Sequence, residues 1–202
     1  TVNSTRQIRD KQIINAARNL LEQGQIIMVK AVGGFNLLCR ADRADVVTRL
    51  RDLKKRMSKP FAVMVTDVAT AEKFCHVSVE EKTLLQSAAR PIVLLQKKRT
   101  AKEWLYEKIK NASLAVPVTK ETDAAQLYLA DNVTDVSDQV GVFLPSMGFY
   151  SELDTDFPFI VTSCNYAGQP IIYKDEEAFK FYDVHEQIAA LFTYEREILR
   201  PA

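Results

Sequence analysis

A run of basic residues at 53–61, with the sequence LKKRMSKPF, contains the first candidates for chemistry in this chain. Lys54 and Arg56 stand two residues apart, which on an ideal helix would separate them by about 200°. Pro60 disfavours helical geometry at the residue before it, so we expect the helix to end within this run. Four side chains could then converge on one anion such as a triphosphate: Lys54, Arg56, Ser58 and Lys59. The alternative is a basic helix end that complements the helix dipole.

A second candidate follows a strongly apolar stretch, in the segment TSCNYAGQP at 162–170. Ser163 and Asn165 share one side of the chain if the extended geometry of a strand persists to them. A hydroxyl and a carboxamide side by side can position a phosphate or a small carboxylate-like group. A Ser-x-Asn sequence is also common in turns, so a structural turn is the alternative.

A third candidate is VKAVGGFN at 29–36, in which Lys30 precedes a pair of glycines. Gly33 and Gly34 permit a close approach of the backbone to a ligand. The segment is neither a G-x-G-x-x-G fingerprint nor a P-loop, so neither of those nucleotide-binding folds is indicated.

Composition excludes several other classes of protein. The chain has 202 residues, 47% hydrophobic and 26% charged, so it can bury a core and is not globally disordered. No apolar run approaches the roughly 18 residues that span a bilayer. The cysteines are odd in number and widely spaced, so we expect a reduced, cytoplasmic protein without disulfides. Because the chain has only two histidines, we also expect no metal centre. Because it has no long apolar run, we expect no membrane partner. We assign Cys39, Cys75 and Cys164 as unreactive thiols, and His76 and His185 as surface or capping residues.

Charge is unevenly distributed along the chain, although the net charge is only +1. Residues 1–60 carry 13 Lys and Arg against 5 Asp and Glu, a local net charge of +8. Residues 150–190 carry 2 Lys and Arg against 8 Asp and Glu, a local net charge of −6. The basic part suits an anionic partner, either a nucleotide phosphate or a nucleic acid backbone. A solvated helix face is the alternative.

Hydrophobic periodicity predicts a mixture of helices and buried strands, and hence one α/β domain over residues 1–202. Helices are predicted at 8–23 with a cap at Gly24, from about Arg43, from Asp67, from a capping box at Ser78–Glu81, and from about Asp175. Strands are predicted at 25–31, 35–39, 61–65, 91–96, 140–145, 157–163 and 191–198. Residues 97–138 show only a helix-like stretch near Trp104 and could form a long insertion.

Five segments, in this order, resemble the YrdC-like domain of the hydrogenase maturation carbamoyltransferase HypF. They are VKAVGGFNLLCRA, LRDLKKRMSKPFAVMV, ARPIVLL, VGVFLP and IVTSCNYAGQPI, and the resemblance runs from about Ala16 to Ala202. It implies a twisted mixed β-sheet with flanking helices around a basic concave pocket. It also implies that the chain is an excised or truncated part of a longer HypF-like protein.

The resemblance further implies a reaction and the residues that serve it. Members of the wider family bind ATP, normally with Mg²⁺, and transfer AMP to a carbamate-type acid; in HypF the carbamate derives from carbamoyl phosphate. By similarity, Lys54 and Arg56 match the catalytic K-x-R motif, and Ser163 and Asn165 match the S-x-N motif that binds nucleotide and substrate. Further binding residues in the same pocket would be Lys30, Gly33, Gly34 and Lys59. A HypE-like protein would be the acceptor partner.

Departures from the HypF pattern keep other functions open. Asn36 and Tyr194 stand where histidines are usual, Arg40 stands where an acid is usual, and PSMGFYS at 145–151 replaces P-Y-T-P-L-H. One alternative is a threonylcarbamoyl-adenylate synthase for tRNA modification. Others are a nucleotide- or double-stranded-RNA-binding module without catalysis, and a degenerate paralogue that keeps the fold as an interaction surface.

Overall fold

The computed structural model describes residues 2–98, 129–134 and 137–201, with side chains from residue 10 onward. Eight strands run along the chain: β1 (Ile26–Lys30), β2 (Phe35–Arg40), β3 (Val63–Met64), β4 (Cys75–His76), β5 (Val93–Lys97), β6 (Gln139–Phe143), β7 (Phe159–Ser163) and β8 (Ile188–Phe192). The described α-helices are α1 (Val2–Glu22), α2 (Ala44–Lys54), α3 (Val68–Phe74), α4 (Val79–Gln86), α5 (Gly148–Glu152) and α6 (Asp175–Asp183). A 3₁₀ turn covers Asp131–Val133.

All eight strands belong to one mixed sheet in the order β4-β5-β6-β3-β7-β2-β1-β8. The pairs β1–β8 and β3–β6 are parallel and the others are antiparallel. The predicted α/β class with a twisted mixed sheet and flanking helices is therefore confirmed.

Helices cover the sheet on both faces, and the two faces have separate cores. One core joins inward residues of α2, α3, α4 and α6 to the sheet, among them Leu50, Ala71, Leu85 and Ala178. The other joins α1 and α5 to the strands β1, β2 and β7 through residues such as Leu21 and Tyr150. Alternation along β1 and β2 therefore decides which face each polar side chain reaches.

Strand direction brings the predicted motifs to the same edge of the sheet. Lys30 at the end of β1 pairs with Phe35 at the start of β2, and Asn36 pairs with Ser163 at the end of β7. Because β3 is antiparallel to β7, the segment that enters β3 lies at this edge as well. Residues 53–61 thus approach the end of β7.

Local capping signals in the sequence are confirmed. Gly24 has φ +73° after the end of α1, and its N–H donates to Leu21 O while that of Gln25 donates to Leu20 O, both at 2.9 Å. This is the Schellman arrangement that favours glycine. The Asp67 side chain caps α3, and the box between Ser78 and Glu81 opens α4.

Two strand predictions need correction. The predicted strand at 191–198 is wrong, because β8 ends at Phe192; its partner β1 ends at Lys30, and no strand continues beside it. The strand at 61–65 shrinks to Val63–Met64, since the Phe61 N–H donates to Val133 O instead of to a neighbouring strand. The helix-like stretch near Trp104 lies outside the described residues. None of the described helices has the length and apolar character needed to span a membrane.

Candidate anion-binding site

The predicted end of α2 within the basic run is confirmed, and the chain reverses there through a left-handed residue. α2 ends at Lys54, and Lys55 adopts φ 51° and ψ 42°. The Lys55 N–H donates to Asp52 O and the Arg56 N–H to Arg51 O, which closes the helix. A lysine in this conformation costs roughly 1 kcal/mol, so the turn depends on the surrounding contacts.

Arg51 organises the loop that follows this turn. Arg51 is 8% exposed, and its guanidinium lies 4.7 Å from the ring centre of Phe61. It donates to carbonyl oxygens at 2.8–3.3 Å, those of Asn132, Val133, Arg56, Met57 and Lys59. The five N–H groups of a guanidinium suit this bridging role. Sequence reasoning missed it, although a charge within the buried stripe of α2 was a usable signal.

Lys54, Ser163 and Asn165 come together at the end of β7, as predicted. The Lys54 ammonium is buried and donates to Asn165 Oδ1 at 2.9 Å, to Asn165 O at 3.1 Å and to the Ser163 carbonyl. The Ser163 hydroxyl donates to Asn165 Oδ1 at 2.8 Å, and Asn165 Nδ2 donates to the Gln169 carbonyl. We call Lys54, Ser163 and Asn165 the lysine cluster.

The charge of Lys54 has no carboxylate partner among the described residues, since the acceptors of its ammonium there are all neutral oxygens. Burial, with a smaller contribution from the nearby charge of Arg56, lowers the pKa of Lys54 to about 8. The amine therefore remains mostly protonated at pH 7. The lysine cluster thus holds a buried positive charge that an anion could neutralise.

The remaining predicted cations of the run lie on the loop beside the lysine cluster. Arg56 is half-buried, donates to Lys59 O at 3.3 Å and Pro60 O at 2.5 Å, and lies 4.8 Å from the ring centre of Phe61. Burial, with a contribution from the Arg51 charge, lowers the pKa of Arg56. Ser58 and Lys59 are exposed. The predicted convergence of Arg56, Ser58 and Lys59 with Lys54 on one anion stays a prediction.

Lys30 reaches a different partner. Its ammonium is 1% exposed, lies 2.7 Å from Asp175 Oδ1, and donates to Asp175 Oδ2 at 2.9 Å and to Tyr194 O at 3.0 Å. The Tyr194 hydroxyl donates to Ala31 O at 3.1 Å, so the segment after β8 is tied to the end of β1. The positive charge of Lys30 is compensated, and its predicted nucleotide contact stays a prediction.

The glycine pair permits a close approach between two segments of this chain. Gly34 has φ +152°, and a Cβ there would lie 2.5 Å from Ile171 Cδ1 and 3.1 Å from Ile172 O. The neighbouring Phe35 N–H donates to Ile172 O at 2.8 Å. Gly34 therefore lets the segment after the S-x-N motif pack against β2, while a ligand contact of Gly33 or Gly34 stays a prediction.

Sequence reasoning assigned no site role to Asn36 and Tyr150, which contact each other at this edge. Asn36 Nδ2 donates to the Tyr150 hydroxyl at 2.8 Å. Tyr150 is 3% exposed, and burial raises its pKa to about 12. Since 114 residues separate the two, no local pattern in the sequence could have paired them.

The cysteines and histidines take the structural roles expected of them. All three thiols are free and buried, and burial raises the pKa of each, to about 12 for Cys75 and Cys164. His185 contacts Phe181 O at 2.6 Å near the end of α6, and His76 is exposed. Within the described ranges, no three His, Cys, Asp or Glu residues cluster as a metal site.

Comparison with known proteins identifies the class to which this fold and site belong. The sequence matches the Sua5/YciO/YrdC family, described as "Telomere recombination", over residues 19–127 and 116–200. The chain belongs to this family.

Within that family, the chain is similar to HypF proteins. It is 31% identical to the probable carbamoyltransferase HypF of Methanocaldococcus jannaschii over 84% of its length and 19% of that protein. A crystal structure of full-length HypF in a phosphate- and nucleotide-bound form matches with a TM-score of 0.74 and 34% identity, over 93% of this chain and 21% of that one. Pyrococcus abyssi Sua5 complexed with L-threonine matches in fold alone, with a TM-score of 0.66 and 16% identity, over 93% and 48% of the two chains. The chain spans about a fifth or less of the length of the curated HypF proteins that it matches.

Proposed function

We propose that this chain uses ATP to form a carbamoyl-adenylate. The observation that carries the proposal is the lysine cluster, in which the described residues offer a buried ammonium neutral oxygens only. A buried charge without a counter-ion is costly, so an anionic ligand that replaces one neutral acceptor would be favoured. The similarity to carbamoyltransferases and to a nucleotide-bound HypF supports ATP and carbamate as the substrate classes.

The chemistry of adenylate formation suits a site rich in cations. A carbamate oxygen attacks the α-phosphorus of ATP, the bond from that phosphorus to the β-bridging oxygen breaks, and pyrophosphate leaves with the electron pair. Two anions must approach each other, so neutralisation and alignment supply most of the catalysis. In this proposal Lys54 and Arg56 neutralise the phosphates, Lys59 lies beside them, and Ser163 and Asn165 orient the nucleotide. Mg²⁺ enters with ATP as part of the substrate.

The test is the exchange of labelled pyrophosphate into ATP by the purified chain with Mg²⁺. We expect exchange with bicarbonate plus ammonium, which supply carbamate, and none without an acid. Arg56→Ala should lower the rate at least about tenfold, whereas Lys82→Met on the exposed side of α4 should leave it unchanged.

Other outcomes of the exchange assay would point to other functions. Exchange that requires bicarbonate plus threonine would indicate threonylcarbamoyl-adenylate synthesis. Absence of exchange under every condition, with ATP binding verified, would overturn the proposed reaction. Binding of double-stranded RNA that needs no ATP, with an affinity that falls steeply as salt rises, would then favour a binding module. Carbamoyl phosphate as the carbamate source and a HypE-like acceptor stay predictions.

A further inference from the structure

Asn36 on β2 and Tyr150 on α5 place a hydrogen-bonded polar pair next to the lysine cluster. Asn36 is the register partner of Ser163, and directly opposed residues in antiparallel strands project to the same face with Cβ atoms about 5 Å apart. Tyr150 approaches that face from α5 and accepts the hydrogen bond from Asn36 at 2.8 Å. The pair therefore adjoins the Ser163 hydroxyl.

Each member of the pair keeps one polar group for a ligand. The Tyr150 oxygen accepts from Asn36, so its own proton is available to a different acceptor. Within the described part of the chain, neither that proton nor Asn36 Oδ1 has a hydrogen-bond partner. The raised pKa of Tyr150 keeps the phenol protonated, and hence a donor, across the neutral range. Asn36 is half-buried, so the pair is not sealed from solvent.

Packing fixes the position of this pair. The Tyr150 ring belongs to the core beneath α1 and α5, together with Leu38 and Phe157. The ring of Phe149 meets it edge-on, with centroids 6.1 Å apart. Asn36 is held in the ladder between β1 and β7. A donor and an acceptor on rigid elements form a preorganised recognition site.

We infer that Asn36 and Tyr150 recognise the carbamoyl group of the acid substrate, an assignment that rests on the proposed function. Asn36 Oδ1 accepts from the carbamoyl N–H, and the Tyr150 hydroxyl donates to a carbamoyl oxygen. A carbamate offers this donor beside an acceptor. A simple carboxylate such as acetate has no N–H and would leave Asn36 Oδ1 unpaired, so the pair discriminates against it.

Two unreactive probes, with and without the carbamoyl group, test this assignment by calorimetric titration. They are 5′-O-sulfamoyladenosine and its N-carbamoyl derivative, in which a sulfamate replaces the phosphate of the adenylate. The carbamoyl compound is also an anion at pH 7, so the decisive quantity is the change in preference between the wild-type chain and each variant. We expect the wild-type chain to bind the carbamoyl compound at least about tenfold more tightly, the ratio typical of one or two buried hydrogen bonds. Tyr150→Phe should reduce this preference at least about threefold without changing the affinity for 5′-O-sulfamoyladenosine. Tyr182→Phe on α6, which packs against the core on the other face of the sheet, should keep the wild-type preference.

A second variant separates recognition from folding. Asn36→Ala leaves the Tyr150 ring in its core and should reduce the preference as far as Tyr150→Phe does, and the double variant should go little further. Equal binding of both probes by the wild-type chain, or an unchanged preference in both variants, would overturn this assignment and leave nucleotide binding intact. Binding of neither probe by the wild-type chain would overturn the proposed function as well.

Discussion

Lys54 and Lys30 are both about 1% exposed, yet the protein compensates their charges differently. Lys30 forms an ion pair with Asp175 at 2.7 Å and also donates to the Tyr194 carbonyl. Lys54 donates to oxygens of Ser163 and Asn165, none of which carries a formal charge. The sequence does not distinguish the two lysines, because each ends a predicted helix or strand and precedes a turn.

This difference indicates which lysine has a charge to offer a ligand. A phosphate beside Lys30 would meet the carboxylate of Asp175, so its attraction to the ammonium would be offset by repulsion. A phosphate beside Lys54 would supply a counter-charge that the described residues do not provide. A buried lysine near a turn is therefore insufficient as a signal of anion binding, and the acid opposite it must be known.

The largest expected effect is the loss of nucleotide binding in Lys54→Met. Removal of the uncompensated charge should weaken ATP binding at least about 100-fold, since charge-assisted contacts with phosphate are among the stronger polar interactions. Calorimetric titration with Mg-ATP measures the effect, and thermal unfolding verifies that the variant is folded. Lys98→Met, which removes an amine bonded to the Glu72 carbonyl elsewhere on the sheet, is the matched control. Unchanged binding by Lys54→Met would show that the lysine cluster is not the phosphate site.

Variants of the ion pair between Lys30 and Asp175 should affect stability instead of binding. Asp175→Asn leaves the Lys30 ammonium buried without its counter-charge and should lower the free energy of unfolding by about 2 kcal/mol. Lys30→Met leaves a carboxylate whose side chain is 42% exposed and can hydrate, so a loss of about 1 kcal/mol is expected. Urea denaturation measures both. ATP affinity should change by less than about threefold in Lys30→Met. A loss of affinity as large as that in Lys54→Met would show that Lys30 also belongs to the nucleotide site.

The pH dependence of ATP binding is a further test of Lys54 as the residue that binds phosphate. With a pKa of about 8, Lys54 is charged at pH 7 and about 90% neutral at pH 9, so the Kd for ATP should rise about tenfold over this range. The free energy of unfolding depends on pH in the opposite direction. Lys54 titrates near 10.5 in the unfolded chain, so the unfolded chain binds more protons than the folded one between pH 8 and 10.5. The contribution of Lys54 to stability therefore rises with pH across that window and is lost as pH falls to 8.

Titration calorimetry at pH 7, 8 and 9 measures this dependence, and Lys54→Arg provides the control. Arginine keeps its charge throughout this range, so any binding that the variant retains should show a flat profile. A flat profile in the wild-type chain would contradict a titrating lysine at the phosphate site.

Local signals allowed much of the fold to be predicted from the sequence. Apolar runs indicated buried strands, Gly24 and Asp67 indicated helix ends, and Pro60 limited the extent of α2. The strand at 191–198 was wrong because the length of an edge strand depends on its partner, and β1 ends at Lys30. Strand extent of this kind is a tertiary property.

Only those residues of the candidate site that lie in short motifs could be predicted from the sequence. Lys54, Ser163 and Asn165 were found from short motifs and are in contact. The partner of Lys30 lies 145 residues away and that of Asn36 lies 114 residues away, so neither pair has a local pattern. The counter-charge that distinguishes the two buried lysines therefore becomes known only through the folded chain.

The smallest expected effect concerns Lys55, which turns the chain between Lys54 and Arg56. Its φ of 51° is unfavourable for a residue with a Cβ, so Lys55→Gly should raise the free energy of unfolding by about 0.5–1 kcal/mol. Lys55→Ala removes the same charge and keeps the strain, so the difference between the two variants in urea denaturation isolates the backbone effect. The Lys55 amine is exposed and lies 5.1 Å from the ring centre of Tyr166, outside the lysine cluster. Both variants should therefore keep the wild-type ATP affinity; a loss shared by both would mean that exposed charge beside the turn also serves the phosphates, and burial would then no longer distinguish the lysine that binds them.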